Sequence, residues 1–291
     1  GCGECIQLCP TGALVEKPNR ETINLEKVEK RVKTTCPYCG VGCQIELYIQ
    51  NGKIVRSLGV EGVSPNDGRL CVKGRFGYEF VHSNDRLKTP LIKRNGVFVE
   101  ASWDEALSLV ASKFLEIKEK FGPDALAGYA SAKCTNEDNY IFQRFIRTAF
   151  GTNNIDYCTR LCHASTVTAM LKSIGDGAGS NPIEDFETTD CLLIIGNNII
   201  ETHPITATYV KRGAARGQKI IVIDPKWTPI VRYASVWLQP KLGTDVALLN
   251  GIINVIISNG LHNPQFIKER VEDGMEAFNE LMNLTKKYTP E

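Results

Sequence analysis

The sequence has almost no excess of charge of either sign: 34 Lys and Arg stand against 33 Asp and Glu, a formal net charge of +1. A nucleic-acid or membrane-surface partner asks for a concentrated basic face, and none is present. Long apolar runs are also missing. The longest, Cys191 to Gly196 and Lys219 to Ile223, have the length of buried strands and fall short of what a bilayer span needs. There is no internal repeat and no low-complexity segment. An initiator methionine is absent, and a cysteine motif is already under way at Cys2. We therefore expect a natural chain truncated here at both ends, with any targeting segment out of view. What remains is 291 residues, 43% of them hydrophobic, enough to bury at least one full core and to hold more than one domain.

Cysteine is abundant, with 11 residues. A chain of this size does not need disulfide staples, and the cysteines bunch at short spacings near the start, so metal binding is the expected use. The strongest signal is Cys36-Pro-Tyr-Cys39 followed by Cys43, with Cys71 far along the chain. Zinc usually takes two short ligand pairs, whereas three close cysteines and one distant one suit a 4Fe–4S cube, each iron taking one thiolate. The second bunch is Cys2, Cys5 and Cys9 followed by Pro10. It matches the last three cysteines and the proline of a bacterial ferredoxin run, in which the final cysteine serves the other of two clusters. The first cysteine of such a run would precede Cys2, so the stretch holds an incomplete ligand set; a zinc knuckle is the lesser alternative. Cys191 lies in an apolar run and is expected in the core. Cys134 and Cys158 have no role derivable from the sequence.

Residues 1–33 read as the end of a ferredoxin-like iron–sulfur module plus a charged linker, 34–90 as a small β-rich cluster domain, and 91–291 as α/β domains. Asn51-Gly52 between Gln44–Ile49 and Lys53–Leu58 predicts a hairpin. Ser102 with Glu105 forms a capping-box pattern, and helical spacing runs from there to Phe121 with a stop at Gly122-Pro123. Further helices are expected from about Asn136 to Phe150 and after Cys162. Strands at Cys191–Ile195, Lys219–Ile223 and Val236–Leu238 then alternate with helices at Ile205–Arg216 and Asp245–Ser258, which predicts a parallel sheet. Ligands of such sheets sit at the carboxyl ends of the strands, here Gly196-Asn197-Asn198, Asp224-Pro225-Lys226 and Leu242 to Asp245, the candidate nucleotide site. Gly175-Asp-Gly177-Ala-Gly179 lacks the third glycine of a dinucleotide fingerprint and follows a helix-like stretch, so it reads as a loop.

Taken in order, the four-cysteine set, Cys71-Val-Lys73-Gly-Arg, Arg160-Leu-Cys162-His163-Ala, Gly196-Asn-Asn198, Asp224-Pro225 and Gly243-Thr-Asp245 resemble the molybdopterin-guanine-dinucleotide oxidoreductases. Within them, Arg160 to Ala164 looks most like the formate dehydrogenases, and the ferredoxin-like stretch looks like their multi-cluster catalytic subunits. The resemblance implies a 4Fe–4S domain followed by Rossmann-like αβα domains. It implies an enzyme oxidising formate to carbon dioxide, or the reverse, at molybdenum or tungsten held by bis-molybdopterin guanine dinucleotide. Electrons would leave through the cluster on Cys36, Cys39, Cys43 and Cys71 and, in the intact protein, through further ferredoxin-type clusters.

By the same resemblance, Cys162 is the thiolate ligand of the metal, His163 handles the proton or positions the substrate, and Lys73 bridges cluster and pterin. Asn198, Glu201, Thr202, Asp224, Lys226, Gly243 and Asp245 align with positions that hold the guanine dinucleotide, although singly each would pass for a turn or cap residue. The arginine that clamps formate would lie past Glu291, so this fragment alone is expected to be inactive. An electron-accepting subunit or carrier is implied, linked to NAD, ferredoxin, a deazaflavin or a hydrogenase. Unpaired cysteines favour the cytoplasm. The alternatives are another molybdopterin oxidoreductase such as a nitrate reductase, against which His163 directly after Cys162 argues, and a metal-free electron-relay subunit, against which Cys162 and Lys73 argue.

Overall fold

A computed structural model describes residues 2–16 and 25–290; the expected linker falls partly on residues 17–24, outside that range. The chain divides into two compact units, Gly1–Ile183 and Glu184–Glu291.

In the first unit a single turn, α1 (Glu4–Gln7), precedes an antiparallel sheet of β1 (Lys30–Thr35), β2 (Gln44–Gln50) and β3 (Lys53–Gly59), in the order β1-β2-β3. Asn51 and Gly52 both take left-handed conformations, with φ of 51° and 67°. A two-residue hairpin turn demands this, and Asn-Gly tolerates it best. β1 is an edge strand bearing Lys30, Arg31 and Lys33. Such charges deter further pairing, and they also give the segment the look of a linker. The short helix α2 (Val72–Phe76) follows, then the hairpin of β4 (Leu91–Arg94) and β5 (Val97–Glu100).

The helix α3 (Trp103–Phe121) starts where the Ser102 hydroxyl accepts from the Glu105 N–H at 3.2 Å, and it stops at Gly122 with φ of 86°. Only half of the capping box forms, because the Glu105 carboxylate turns to the Arg94 guanidinium instead. After β6 (Gly128–Ala130) comes α4 (Asn136–Phe145), where Thr135 and Asp138 make a complete box that the sequence reading did not pick out. The predicted helix ends at Gly151, but its last stretch, Ile146–Phe150, is a π-helical turn. Ile146 and Phe150 close a core with Leu126, Phe114, Phe142 and Ile155. β7 (Ile155–Tyr157) pairs parallel to β6, and α5 (Thr159–Cys162) and α6 (Ala164–Ile174) follow, ended by Gly175 at φ of 78°.

In the second unit α7 (Asp185–Thr188) leads into β8 (Cys191–Ile195), α8 (Ile199–Thr202), α9 (Pro204–Ala215), β9 (Lys219–Ile223) and β10 (Val236–Leu238). The strands form a parallel sheet in the order β10-β9-β8, followed by α10 (Asp245–Ser258), α11 (Pro264–Arg270) and α12 (Gly274–Thr285). The whole is of the α/β class, as the alternating pattern predicted. Ala207 and Val210 of α9 pack on Ile194, Ile220 and Val222 in the core. Each buried valine or isoleucine there contributes about 1.5–3 kcal/mol.

Cys191 corrects an expectation: it is exposed, not in the core. The strand's two-residue period turns Leu192 and Ile194 toward the core and puts Cys191, Leu193 and Ile195 on the other face. Among the described residues no helix is long and apolar enough to cross a membrane.

Candidate cofactor site

The loop between β1 and β2 carries three of the four cysteines, and it is closed by the Cys36 N–H donating to the Cys43 carbonyl at 2.8 Å. Asn66, 1% exposed, staples the start of β2: its Oδ1 accepts from the Gln44 N–H at 2.7 Å, and its Nδ2 donates to the Gln44 and Arg69 carbonyls. Cys71 caps the N-terminus of α2. Gly74 on that helix brings bare backbone to the Cys36 sulfur, since a Cβ there would lie 3.4 Å from Sγ. Ser57 of β3 donates to the Gly74 carbonyl at 2.8 Å and fixes this approach.

The four thiols lie close enough to act on one another's charge. Burial pushes the Cys43 thiol up to about 12, and repulsion from Cys36, Cys39 and Cys71 adds to it. Cys36 is raised by burial first and then by Cys71 and Cys39, while Lys73 pulls the other way. Bare thiolates are therefore disfavoured here, and a cationic cluster is what would stabilise them. Among the described residues no three His, Cys, Asp or Glu converge on one metal ion. A cube asks for no such convergence, because each thiolate binds a different iron. The donor set thus fits a 4Fe–4S cluster, and Lys73 stands near enough to Cys36 to act on its charge. In the N-terminal segment, the Thr11 hydroxyl and the backbone N–H groups of Leu14, Thr11 and Ala13 bring the Cys9 thiol down to about 7.

Cys162 and His163 sit where α5 ends and α6 begins, both exposed. The Cys162 N–H donates to the Cys158 carbonyl at 3.0 Å, and His163 breaks the helix with φ of −145°. The Arg160 guanidinium donates to Asp156 in the middle of β7 at 2.5 Å, which fixes the turn to the sheet and holds the Asp156 carboxyl below its usual range. His163 Nε2 lies 3.3 Å from the Thr159 hydroxyl. Among the described residues no hydrogen bond or ion pair joins Cys162 or His163 to Lys73 or to the four cysteines.

In the second unit the three predicted loops lie at the carboxyl ends of adjacent parallel strands. Asn198 donates from Nδ2 to the Glu201 carboxylate at 2.7 Å, and its Oδ1 is buried without a partner. Such an orphan acceptor fits the N–H or O–H of a nucleotide. Thr202 is tied to the Asn198 carbonyl at 3.0 Å. Asp224, 8% exposed, accepts from the Lys226 N–H at 2.8 Å, which shapes the second loop. Gly243 has φ of 81°, and Asp245 opens α10 beside it.

Two residues that the sequence reading passed over belong to the first unit. Lys133 donates to the Tyr38 carbonyl inside the cysteine loop. Arg75, directly after Lys73-Gly74, is 1% exposed. The signal for Arg75 in the sequence is its place at the end of Cys71-Val-Lys73-Gly-Arg, four residues after a cluster cysteine.

A match to the molybdopterin oxidoreductase Fe4S4 domain covers residues 29–83, and a match to molybdopterin oxidoreductase covers residues 86–288. The chain belongs to the molybdopterin oxidoreductase family. It is 45% identical over 260 residues to the F420-dependent formate dehydrogenase 1 subunit alpha of Methanococcus maripaludis, covering 89% of this chain and 37% of that protein. Formate dehydrogenase H of Escherichia coli is 42% identical over 269 residues, covering 90% and 37%. Among solved structures, acetylene hydratase from Pelobacter acetylenicus superposes with a TM-score of 0.74 at 26% identity, over 89% of this chain and 36% of that one. The chain thus spans little more than a third of the relatives it matches.

Proposed function

We propose that this molybdopterin oxidoreductase chain is part of the catalytic subunit of a formate dehydrogenase, which oxidises formate to carbon dioxide or runs the reverse. The observation that carries this reading is the pair Cys162 and His163, exposed together at a helix break. The pair sits in a chain 42% identical to formate dehydrogenase H and 45% identical to a second formate dehydrogenase alpha subunit. The acetylene hydratase neighbour shows that the family fold alone does not select the reaction.

When bound, the molybdenum or tungsten bis-pterin centre supplies acceptance of the two electrons that formate gives up. This chain's own residues would do the rest. Cys162 would ligate the metal, because a soft thiolate suits it. His163 would take the proton released as the C–H bond breaks, with Thr159 orienting its ring. Asn198, Glu201, Thr202, Asp224, Lys226, Gly243 and Asp245 would hold the guanine dinucleotide. Lys73 would stand between pterin and cluster, and Cys36, Cys39, Cys43 and Cys71 would hold the cluster that passes electrons on. Cys2, Cys5 and Cys9 would ligate the ferredoxin-type clusters of the longer protein.

The redox partner is an electron-accepting subunit or carrier, because relatives of near-equal identity are F420-dependent by name in one case and not in the other. A cytoplasmic location belongs to the same reading, supported by eleven cysteines of which none is paired in a disulfide among the described residues.

The test is anaerobic, formate-dependent viologen reduction by the full-length protein loaded with metal and pterin. Reduction that falls by roughly a hundredfold or more in Cys162→Ala, the scale of losing a group at the reacting centre, supports the assignment. No reduction by the loaded protein would reject it.

A further inference from the structure

Three residues of the Cys2 to Cys9 segment converge on one side chain. Arg75 donates from Nε to the Cys2 carbonyl at 2.9 Å, from Nη2 to the Glu4 carboxylate at 2.6 Å, and from Nη1 to the Gln7 side-chain oxygen. A guanidinium cannot shed its charge, so burying it costs dearly unless its fork of donors is satisfied. Here all of its nitrogens are satisfied by this one segment. Gly3 supplies a second, independent observation. It is buried with φ of 77°, and a Cβ there would lie 2.4 Å from the Phe76 ring and 2.6 Å from Arg75 Cδ. The backbone of the segment therefore lies flat on α2, with no room for a side chain. Gln7 is engaged again by the Gly59 N–H at 3.5 Å, at the end of β3.

We propose that Arg75 is a positioning residue that locks the Cys2–Cys9 segment onto α2, so that the segment's cysteines stand at a fixed place relative to the four-cysteine site. One short helix then makes three connections: Cys71 at its start reaches the cluster, Lys73 lies beside Cys36, and Arg75 grips the N-terminal segment. Electron tunnelling weakens steeply with distance, so a fixed gap is what a relay between two iron–sulfur modules needs. This consequence rests on the iron–sulfur reading of the segment, whereas the docking does not. Lysine cannot replace the arginine, because a point charge lacks the fork that reaches separate partners.

Hydrogen exchange on the full-length holoprotein tests the docking, with Arg75→Met, Arg75→Lys and Gly3→Val compared with the parent. In each variant the amides of residues 4–9 are expected to exchange roughly tenfold or more faster, the scale of one lost charge-assisted hydrogen bond. The iron of the four-cysteine site and the protection of β2 and β3 are expected to stay. Gly3→Val acts from the segment's side and leaves the interior of the cluster domain intact, so it decides the matter if the arginine variants do not fold. Unchanged protection of residues 4–9 in Gly3→Val overturns the proposal. A merely structural arginine would not alter magnetic coupling between reduced clusters, so the coupling seen by electron paramagnetic resonance is expected to weaken in Arg75→Met as it does in Gly3→Val. Coupling that persists despite lost protection overturns the positioning role. A parent protein with no coupled clusters would refute the iron–sulfur reading of the segment, and the exchange data would still judge the docking.

Discussion

At the residue scale, the site rests on side chains held in states they would not adopt in water. Cys43 is the extreme case, a thiol driven up to about 12 by burial and by its fellow cysteines. Cys43→Ser leaves a poorer ligand in the same buried place, and we expect loss of the cluster's iron and of its paramagnetic signal, measured on the anaerobically purified protein. Glu16 gives a prediction in pH. Burial raises its carboxyl above the ordinary value of 4.5, with Arg56, at 3.9 Å, offsetting only part of the effect. A raised folded value means that the folded state prefers the protonated form. That contribution to stability is complete below 4.5 and is lost as pH rises through the folded value. Glu16→Gln should therefore be the more stable protein at neutral pH, with its advantage vanishing in acid. Thermal unfolding at a series of pH values checks this, and an advantage that grows in acid would contradict it. The four cysteines, Cys162 and the strand-end residues were all legible as residue types. Arg75 was not, because its meaning lies in what folds against it rather than in its neighbours along the chain.

At the scale of elements, most of the fold could be read from local rules. Asn51-Gly52 dictated a turn, Ser102 and Gly122 bounded a helix, and the apolar runs became β8 and β9. The failures have local causes too. Glu105 left the capping box because Arg94 from the preceding hairpin offered a better partner. Cys191 followed the strand period outward, although its run is apolar throughout. β1 escaped notice because an edge strand rich in lysine and arginine looks like linker. Since the Ser102 side chain caps the N-terminus of α3, Ser102→Ala should cost about 1 kcal/mol of stability, measurable by denaturant titration.

At the scale of the whole molecule, large apolar side chains lie open along both units, among them Leu161 at 95% and Leu242 at 87% exposed. Large apolar side chains exposed in such number are seldom all left to water. The 291-residue polypeptide should accordingly bind a hydrophobic reporter dye more strongly, mole for mole, than the full-length protein does, and equal binding would contradict this. The π turn at Ile146–Phe150 also reaches beyond its own helix. Such turns typically hold one residue more than an α-helix would. Here it acts as a spacer in the chain's timing: it seats Ile146 and Phe150 in the core and still delivers Ile155 to its partner Gly128. Removing one residue would turn the rest of that helical turn through about 100°, one α-helical step. The error would travel along β7 and through the Asp156–Arg160 pair, so the placement of Cys162 depends on an irregularity in an earlier helix.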